Sequence, residues 1–425
     1  MRNTGYFKNK KVTVVGLARS GMCVARLLSG LGAEVWVTES GDNEINRANA
    51  AESVSRGLRI ELGKHSAEFI QGRDLVVLSP GVPLDAPPVR WARDAQVPVI
   101  SEIEAGWILC PAPVIAVTGA NGKTTVTTLI GEVLAASGRN VFVCGNIGNP
   151  FCGEVERIGP HDFVVLEVSS FQLETIERFR PAISVILNLT PNHLDRYKDM
   201  DEYIAAKKRI FMNQDEGDYL VLNGDDAVLR DAARETGAQV RFFGIDKGYN
   251  PNQSAVMAVG SILGIERNIC EGVFRCFKGI EHRMEQVAEI RGVFFINDSK
   301  ATTADSAVWA LKDLHGPIIW IAGGRHKGID YRVVLRHARG KVKQVIVIGE
   351  AGCLIRDVLG TEFPVNEAAT LEDAVAVAFG KALPGDCVLL SPMCSSYDMF
   401  RDYEERGRVF KKAVLELQKR ETSSV

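Results

Sequence analysis

The chain has 425 residues, 46% hydrophobic and 24% charged, with a net charge of −3. That length allows two to four domains with full cores, the composition is that of a soluble protein, and there is no basic field to hold nucleic acid. The first ten residues lack the apolar core of a signal peptide, no apolar run is long enough to span a membrane, and nine cysteines without a C-x-x-C pair read as reduced thiols of a cytoplasmic protein, not a zinc site.

Residues 1–102 open as a βαβ unit of Rossmann type. A strand over 11–15 is followed by Gly16-Leu-Ala-Arg-Ser-Gly21, a helix through Leu31, and a strand over 33–38 ending at Glu39. A dinucleotide fingerprint has a glycine where Ala18 stands, so the turn favours a differently posed nucleotide over NAD. Glu39 lies at the distance expected of a ribose-hydroxyl acceptor, and a βαβ unit with no ligand is the plainer alternative. A further strand over 74–78 runs into Ser79-Pro-Gly-Val-Pro83, at the sheet edge where ligands of such folds bind.

Residues 103–279 centre on Val114-Ile-Ala-Val-Thr-Gly-Ala-Asn-Gly-Lys-Thr-Thr125, an apolar strand, a glycine turn and a helix start. The usual phosphate loop is G-x-x-x-x-G-K-[ST]; here only two residues separate Gly119 from Gly122, so this is a shortened relative. Backbone N–H groups and the positive helix end face an anion, Lys123 adds a charge and a threonine hydroxyl can reach Mg²⁺, which predicts an ATP or GTP site. Alternating strands and helices predict a mostly parallel sheet. Glu167 ends the apolar strand 163–168, where a bare carboxylate is costly. Mg²⁺ or a neighbouring basic side chain would resolve that cost. His193 alone is as well read as a loop hydrogen bonder, and Lys207 and Lys208, in a helix over 201–212, as a solvated face.

Residues 280–425 form a third α/β unit, with strands over 293–297, 317–322, 344–349 and 387–391. Lys300, Lys327 and the Ser395–Ser396 pair follow strand ends and together suit a carboxylate-bearing ligand.

The motifs T-G-A-N-G-K-T-T, L-E-V-S-S-F-Q-L-E, N-x-x-x-x-H-L-D-R-Y, A-A-K-K-R-I, H-R-M-E, N-D-S-K-A-T and S-P-M-C-S-S-Y-D-M-F occur in that order across all three segments. In this combination the chain resembles the Mur ligases, and among them the branch that adds D-glutamate. The resemblance implies three α/β domains. The first, Rossmann-like, would bind the UDP substrate through Arg19, Ser20, Glu39, Ser40, Ser79 and Gly81, with Asn146 on the sugar-peptide. The central one would bind ATP through Gly119, Asn121, Gly122, Lys123, Thr124 and Thr125. Arg283 and Asp298 of the third would complete the nucleotide site. Catalysis would use Lys123, Glu167, His193 and Lys207. Two Mg²⁺ ions would be held by Thr124, Glu167, His193 and a CO₂-derived carbamate on Lys207. D-glutamate would meet Lys300, Thr302, Lys327, Ser396 and Tyr403.

The implied reaction is ATP-dependent amide formation on UDP-N-acetylmuramoyl-L-alanine through an acyl phosphate, in cytoplasmic peptidoglycan precursor synthesis, by a monomer whose outer domains close on the middle one. The rivals are a sibling ligase for another amino acid and a non-catalytic nucleotide-binding relative. Four departures from the family pattern bear on them. The region 246–252 is short and lacks a histidine, leaving Asn250 or Asn252 for adenine; Thr303, Arg325-His326 and Tyr403 replace the usual residues at their positions.

Overall fold

The computed structural model describes residues 1–190, 196–244, 248–277, 279–314, 316–326 and 328–423. The chain packs as two compact units, Met1–Phe277 and Lys278–Val425.

The first unit contains two sheets. One is built from β1 (Lys11–Val15), β2 (Glu34–Glu39), β3 (Arg59–Leu62), β4 (Leu75–Leu78) and β5 (Val99–Ser101), in the order β3-β2-β1-β4-β5. The other comprises β6 (Val114–Thr118), β7 (Val141–Gly145), β8 (Phe163–Glu167), β9 (Ile183–Ile186), β10 (Tyr219–Asn223) and β11 (Gln239–Phe243), in the order β11-β10-β9-β6-β8-β7. All pairings in both are parallel. Strands such as β4, β6 and β9 are buried along their whole length, which is why they read as unbroken apolar runs: helices cover both faces.

The second unit holds β12 (Glu285–Ile290), β13 (Val293–Asn297), β14 (Ile318–Gly323), β15 (Val342–Ile348), β16 (Val365–Glu367) and β17 (Cys387–Met393), in the order β12-β13-β17-β14-β15-β16. It is parallel except for β12, which pairs antiparallel with β13. The strands that sequence reading does not supply are β3, β5, β10, β11, β12 and β16. Five of these (β3, β5, β11, β12 and β16) are sheet edges, where charge or brevity replaces the apolar run.

Order reversals fix where ligands can bind. In the central sheet the chain leaves β6 toward β8 and β7 on one side and returns as β9 on the other, so the loop after β6 lies at a topological switch point. In the first sheet the reversal lies between β1 and β4, and the loops that follow them carry Arg19, Ser20 and Ser79. In the second unit β17 inserts between β13 and β14, bringing the loops after all three strands to one edge.

The helix Glu102–Leu109 ties the first sheet to the central one. Its Glu104 carboxylate accepts hydrogen bonds from the backbone N–H groups of Glu177, Arg178 and Phe179 at 3.0, 2.9 and 2.9 Å. Glu102 accepts from Cys152 N at 2.6 Å, and one apolar cluster runs from Val12 through Ile103 and Phe151 to Leu166. Among the described residues no helix is long and apolar enough to cross a membrane.

Candidate active site

The phosphate loop is shaped by two glycines. Gly119 has φ +151 and Gly122 has φ +82, at the start of the helix Lys123–Ala136; side chains rarely adopt either conformation. Val126 N makes the first helical hydrogen bond, to Gly122 O at 2.9 Å, so the amides before it point out of the helix end into the loop. Lys123 Nζ donates to Gly119 O and Ala120 O, both at 3.0 Å. Asn188, just after β9, braces the loop from outside: its Oδ1 accepts from Ala120 N at 3.1 Å and Asn121 N at 2.9 Å, and its Nδ2 donates to Asn121 O at 3.1 Å. Thr124 is buried and Asn121 exposed. The Oδ1 of Asn252 lies 2.6 Å from where a Cβ on Gly122 would stand. Asn250 instead caps the helix Pro251–Ile262, so Asn252 is the one of the pair that lies on the phosphate loop.

Glu167, at the end of β8 and 1% exposed, faces this loop through the β6 pairing Val117↔Glu167. Its Oε1 accepts from Asn146 Nδ2 at 2.7 Å. Its Oε2 is buried and accepts no hydrogen bond from any described residue. An anionic oxygen left bare in the interior is costly, and a hard cation beside phosphate oxygens suits it chemically.

Lys207 is the largest departure from a reading by helix spacing. Far from lying on a solvated face, it is 2% exposed. Its Nζ donates to Gly119 O at 2.9 Å and Thr118 Oγ1 at 3.4 Å, and lies 4.9 Å from the centre of the Tyr203 ring. Burial, then the Lys123 charge, hold its ammonium well below the usual lysine range, with Glu167 opposing. Its neighbour Lys208 pairs with Glu235 at 2.6 Å. Lys123, Thr124, Glu167 and Lys207 therefore converge on one loop. His193 lies outside the described residues.

In the first sheet Glu39 spends both oxygens on backbone: Leu17 N at 3.0 Å and Gly41 N at 2.7 Å. It shapes the turn that carries Arg19 and Ser20, and its neighbour Ser40 is exposed. A Cβ on Gly21 would meet Gly16 O at 1.9 Å, so only glycine permits that close turn. Ser79 is buried and donates to Gly16 O at 3.4 Å, Gly81 is exposed, and Arg19 donates to Gly148 O in the turn that also bears Asn146. The residues expected to hold the UDP substrate thus gather where the first and central sheets meet.

In the second unit Asp298 is buried, accepting from Ser391 Oγ at 2.9 Å and Met284 N at 3.3 Å. Burial pushes its carboxyl up to about 7, while the hydrogen bond from Ser391 and then the charge of Arg283 oppose the rise. Lys300 Nζ lies 5.7 Å from the Tyr403 ring centre, Thr302 N donates to Lys300 O at 2.8 Å, and Ser396 is buried in a turn. Lys327 lies outside the described residues. Thr303 caps the helix Ala304–Asp313, Arg325 pairs with Glu350 at 3.4 Å, and His326 Nδ1 meets Tyr331 Oη at 3.0 Å.

Sequence reasoning missed two organising residues here and in the first unit. Arg406, fully buried, donates to Ser299 Oγ, Ser299 O and Cys394 O at 3.0, 2.8 and 3.1 Å. It binds the 298–302 and 394–396 loops together, and burial pushes its guanidinium down to about 10. Asn188 is the other. Its signals were an asparagine closing an otherwise apolar strand and the first place in the N-x-x-x-x-H-L-D-R-Y motif; Arg406 had none beyond its place in a charged helix.

Comparison with known proteins accords with this geometry. Residues 10–101 match the N-terminal domain of MurD-like Mur ligases, 117–263 the Mur ligase middle domain and 282–394 the Mur ligase glutamate ligase domain. A UDP-N-acetylmuramoylalanine--D-glutamate ligase of Pelotomaculum thermopropionicum is 42% identical over 97% of this chain and 99% of its own. Its namesake from a Thermoanaerobacter species is 41% identical with the same coverage. The MurF ligase of Thermotoga maritima, solved with ADP, superposes with a TM-score of 0.58 over 98% of this chain and 97% of its own, and at 16% identity that likeness concerns the fold alone. The chain belongs to the Mur ligase family, in the branch of the UDP-N-acetylmuramoylalanine--D-glutamate ligases.

Proposed function

We propose that this protein is the ATP-dependent ligase that joins D-glutamate to UDP-N-acetylmuramoyl-L-alanine, a step of peptidoglycan precursor synthesis. The observation that carries the reading is the convergence of Lys123, the bare Glu167 oxygen and buried Lys207 on one glycine loop at the central switch point. Residues 1–102 would bind the UDP substrate, 103–279 ATP, and 280–425 D-glutamate together with part of the nucleotide through Arg283 and Asp298. The substrate carboxylate attacks the γ-phosphorus of ATP, ADP leaves, and an acyl phosphate remains. The amine of D-glutamate then displaces inorganic phosphate, loses a proton, and forms the amide.

The chain's contribution is positioning and charge. Lys123, swung from its own loop carbonyls, neutralises phosphate oxygens. The helix end and the Gly119–Gly122 amides hold the phosphate chain, and Asn188 keeps the loop in shape. Thr124, Glu167 and His193 would hold Mg²⁺, which would supply Lewis-acid neutralisation of the transferring group. Lys207 has the setting for a carbamate: its depressed proton affinity favours the neutral amine, the form that adds CO₂, and the product is an oxygen ligand of the kind Mg²⁺ prefers. Lys300, Thr302, Lys327, Ser396 and Tyr403 would hold the carboxylates of D-glutamate.

The test is phosphate release with ATP, Mg²⁺ and UDP-N-acetylmuramoyl-L-alanine, with D-glutamate, L-glutamate or L-alanine added in turn. Release that depends on D-glutamate is the expected result. Release with another amino acid would assign a sibling specificity, and none with any would leave a nucleotide-binding protein without ligase activity.

A further inference from the structure

We propose that Arg196 is a positioning residue that latches the 79–83 loop of the first sheet to the central sheet, so that a substrate held by that loop is presented to the phosphate-transfer site. The proposal rests on the functional reading above for the identity of the substrate, but not for the latch itself.

Arg196 belongs to the central segment, yet two of its donors cross to the first sheet. Nη1 donates to Pro80 O at 3.3 Å and Nη2 to Val82 O at 3.1 Å. Nη2 also meets Glu174 Oε2 at 3.0 Å, and the guanidinium stacks 3.9 Å above the Phe171 ring. Both side chains of the ion pair are largely buried, at 18% and 8% exposed. Glu174 and Phe171 belong to the segment that follows β8, the strand that ends at Glu167. The guanidinium is therefore held in its plane from the Glu167 side and reaches out to two carbonyls of the Ser79–Pro83 turn.

Chemistry favours this assignment over a merely stabilising ion pair. A planar fork reaches two diverging carbonyls from two separate nitrogens while it meets a carboxylate and lies flat on a ring, which the single point of a lysine ammonium does not do. Among the described residues only Arg196 donates to these two carbonyls, and they flank Gly81, one of the positions expected to meet the UDP substrate. Ser79 is anchored to β1 through its N to Val15 O and its Oγ to Gly16 O, at 3.0 and 3.4 Å, and the loop's other backbone bonds are local, Val82 N to Ser79 O and Ala86 N to Pro83 O at 3.0 and 3.1 Å, so none of these ties the loop to β8. Transfer needs the substrate carboxylate within reach of the phosphorus, and small misplacements there are expensive.

The experiment compares the wild-type chain with Arg196→Ala, Arg196→Lys and the milder Glu174→Gln. Backbone hydrogen exchange over 79–86 and steady-state kinetics are followed with each substrate varied in turn. Expected are faster exchange confined to 79–86 and its contacts, KM for UDP-N-acetylmuramoyl-L-alanine raised by about tenfold in Arg196→Ala, and ATP binding in its absence unchanged. Arg196→Lys should fail to restore the wild type, and Glu174→Gln should fall between. Unchanged exchange at 79–86 in a folded variant would overturn the latch, as would a loss spread equally over both substrates. If Arg196→Ala does not fold, Glu174→Gln decides by the same two readouts. A wild-type chain inactive with D-glutamate would sink the functional reading, while the exchange result would still judge the latch.

Discussion

The bare oxygen of Glu167 makes a prediction with opposite signs for stability and for activity. In Glu167→Gln the amide oxygen can still accept from Asn146, while the buried Oε2 position takes a neutral NH₂ group in place of an anion. Exchanging an unpaired buried anion for an unpaired neutral group recovers about 1–2 kcal/mol in the metal-free protein. Lys207 tempers that gain, because the Glu167 charge raises its proton affinity against the lowering by burial and Lys123. For a unit of this size the gain amounts to about 2–6 °C in Tm. Metal affinity moves the other way. A unit charge about 4 Å from a cation is worth about 4 kcal/mol per cation charge at an effective dielectric of about 20, so affinity falls by roughly a thousandfold or more.

The assay is thermal unfolding in EDTA and again with Mg²⁺ and ADP, alongside phosphate release. A wild-type chain with nucleotide at about a hundred times its Kd should gain about 2.7 kcal/mol. Glu167→Gln should start higher in EDTA and gain almost nothing, with turnover nearly abolished. A variant less stable than wild type in EDTA, or one that keeps the full Mg²⁺-dependent gain, would refute the assignment of Glu167 as a metal ligand.

Lys207→Ala should lose turnover, and formate or acetate, standing in for the missing carbamate oxygens, should restore part of it; full activity in the unrescued variant would remove the carbamate. Gly145→Ala should destabilise by about 2–4 kcal/mol, because φ there is +103 and the new Cβ would stand 2.5 Å from Glu167 O. Turnover should fall with it, and a neutral effect in denaturant melts would contradict the geometry. Burial pushes the Glu102 carboxyl up to about 7 from an ordinary 4.5. A group that binds its proton more tightly when folded adds stability below about 4.5 and loses it as pH rises through about 7. Glu102→Gln should therefore flatten stability between those values and leave the protein firmer at pH 8, by an amount on the order of 3 kcal/mol; an unchanged pH profile would deny the shift.

The parts of the site that were legible in the sequence are the local ones. A strand, a glycine turn and a lysine at a helix start are adjacent in the chain, so the Gly119–Lys123 cradle could be read as a unit. Glu167 could be read because a carboxylate in an apolar strand has to be explained. Lys207 could not be read from residues alone. Its helix, Met200–Lys208, carries acidic and basic residues in both its first and its last turn, and the burial of one of two adjacent lysines depends on tertiary packing that brings its Nζ to the end of β6. Family resemblance, not periodicity, marked it. Asn188 and Arg196, though part of the N-x-x-x-x-H-L-D-R-Y motif, and Arg406 were given no role for a related reason: each acts in large part through backbone atoms far along the chain, and backbone partners leave no trace in a sequence. The same limit explains the edge strands β12 and β16, whose pairing is set by a neighbour.

The join between the first and central sheets shows the same logic in a pair of glutamates. Glu102 and Glu104 stand in the first turn of a capped helix, where acids favour its dipole, yet both are 1% exposed. Desolvation raises both carboxyls, but their hydrogen bonding differs. Glu104 has three backbone N–H donors converging on two oxygens, the arrangement that best compensates a buried anion. Glu102 has the amide of Cys152 on one oxygen and no described hydrogen-bond partner on the other. Glu104 can therefore hold the 177–179 segment to the first sheet as an anion, whereas Glu102 holds Cys152 most cheaply as the neutral acid. Above about 7 the cost of desolvating the Glu102 anion lowers the stability of this join although its bond from Cys152 N favours the anion, whereas the three amides on Glu104 offset that cost and keep the two sheets joined.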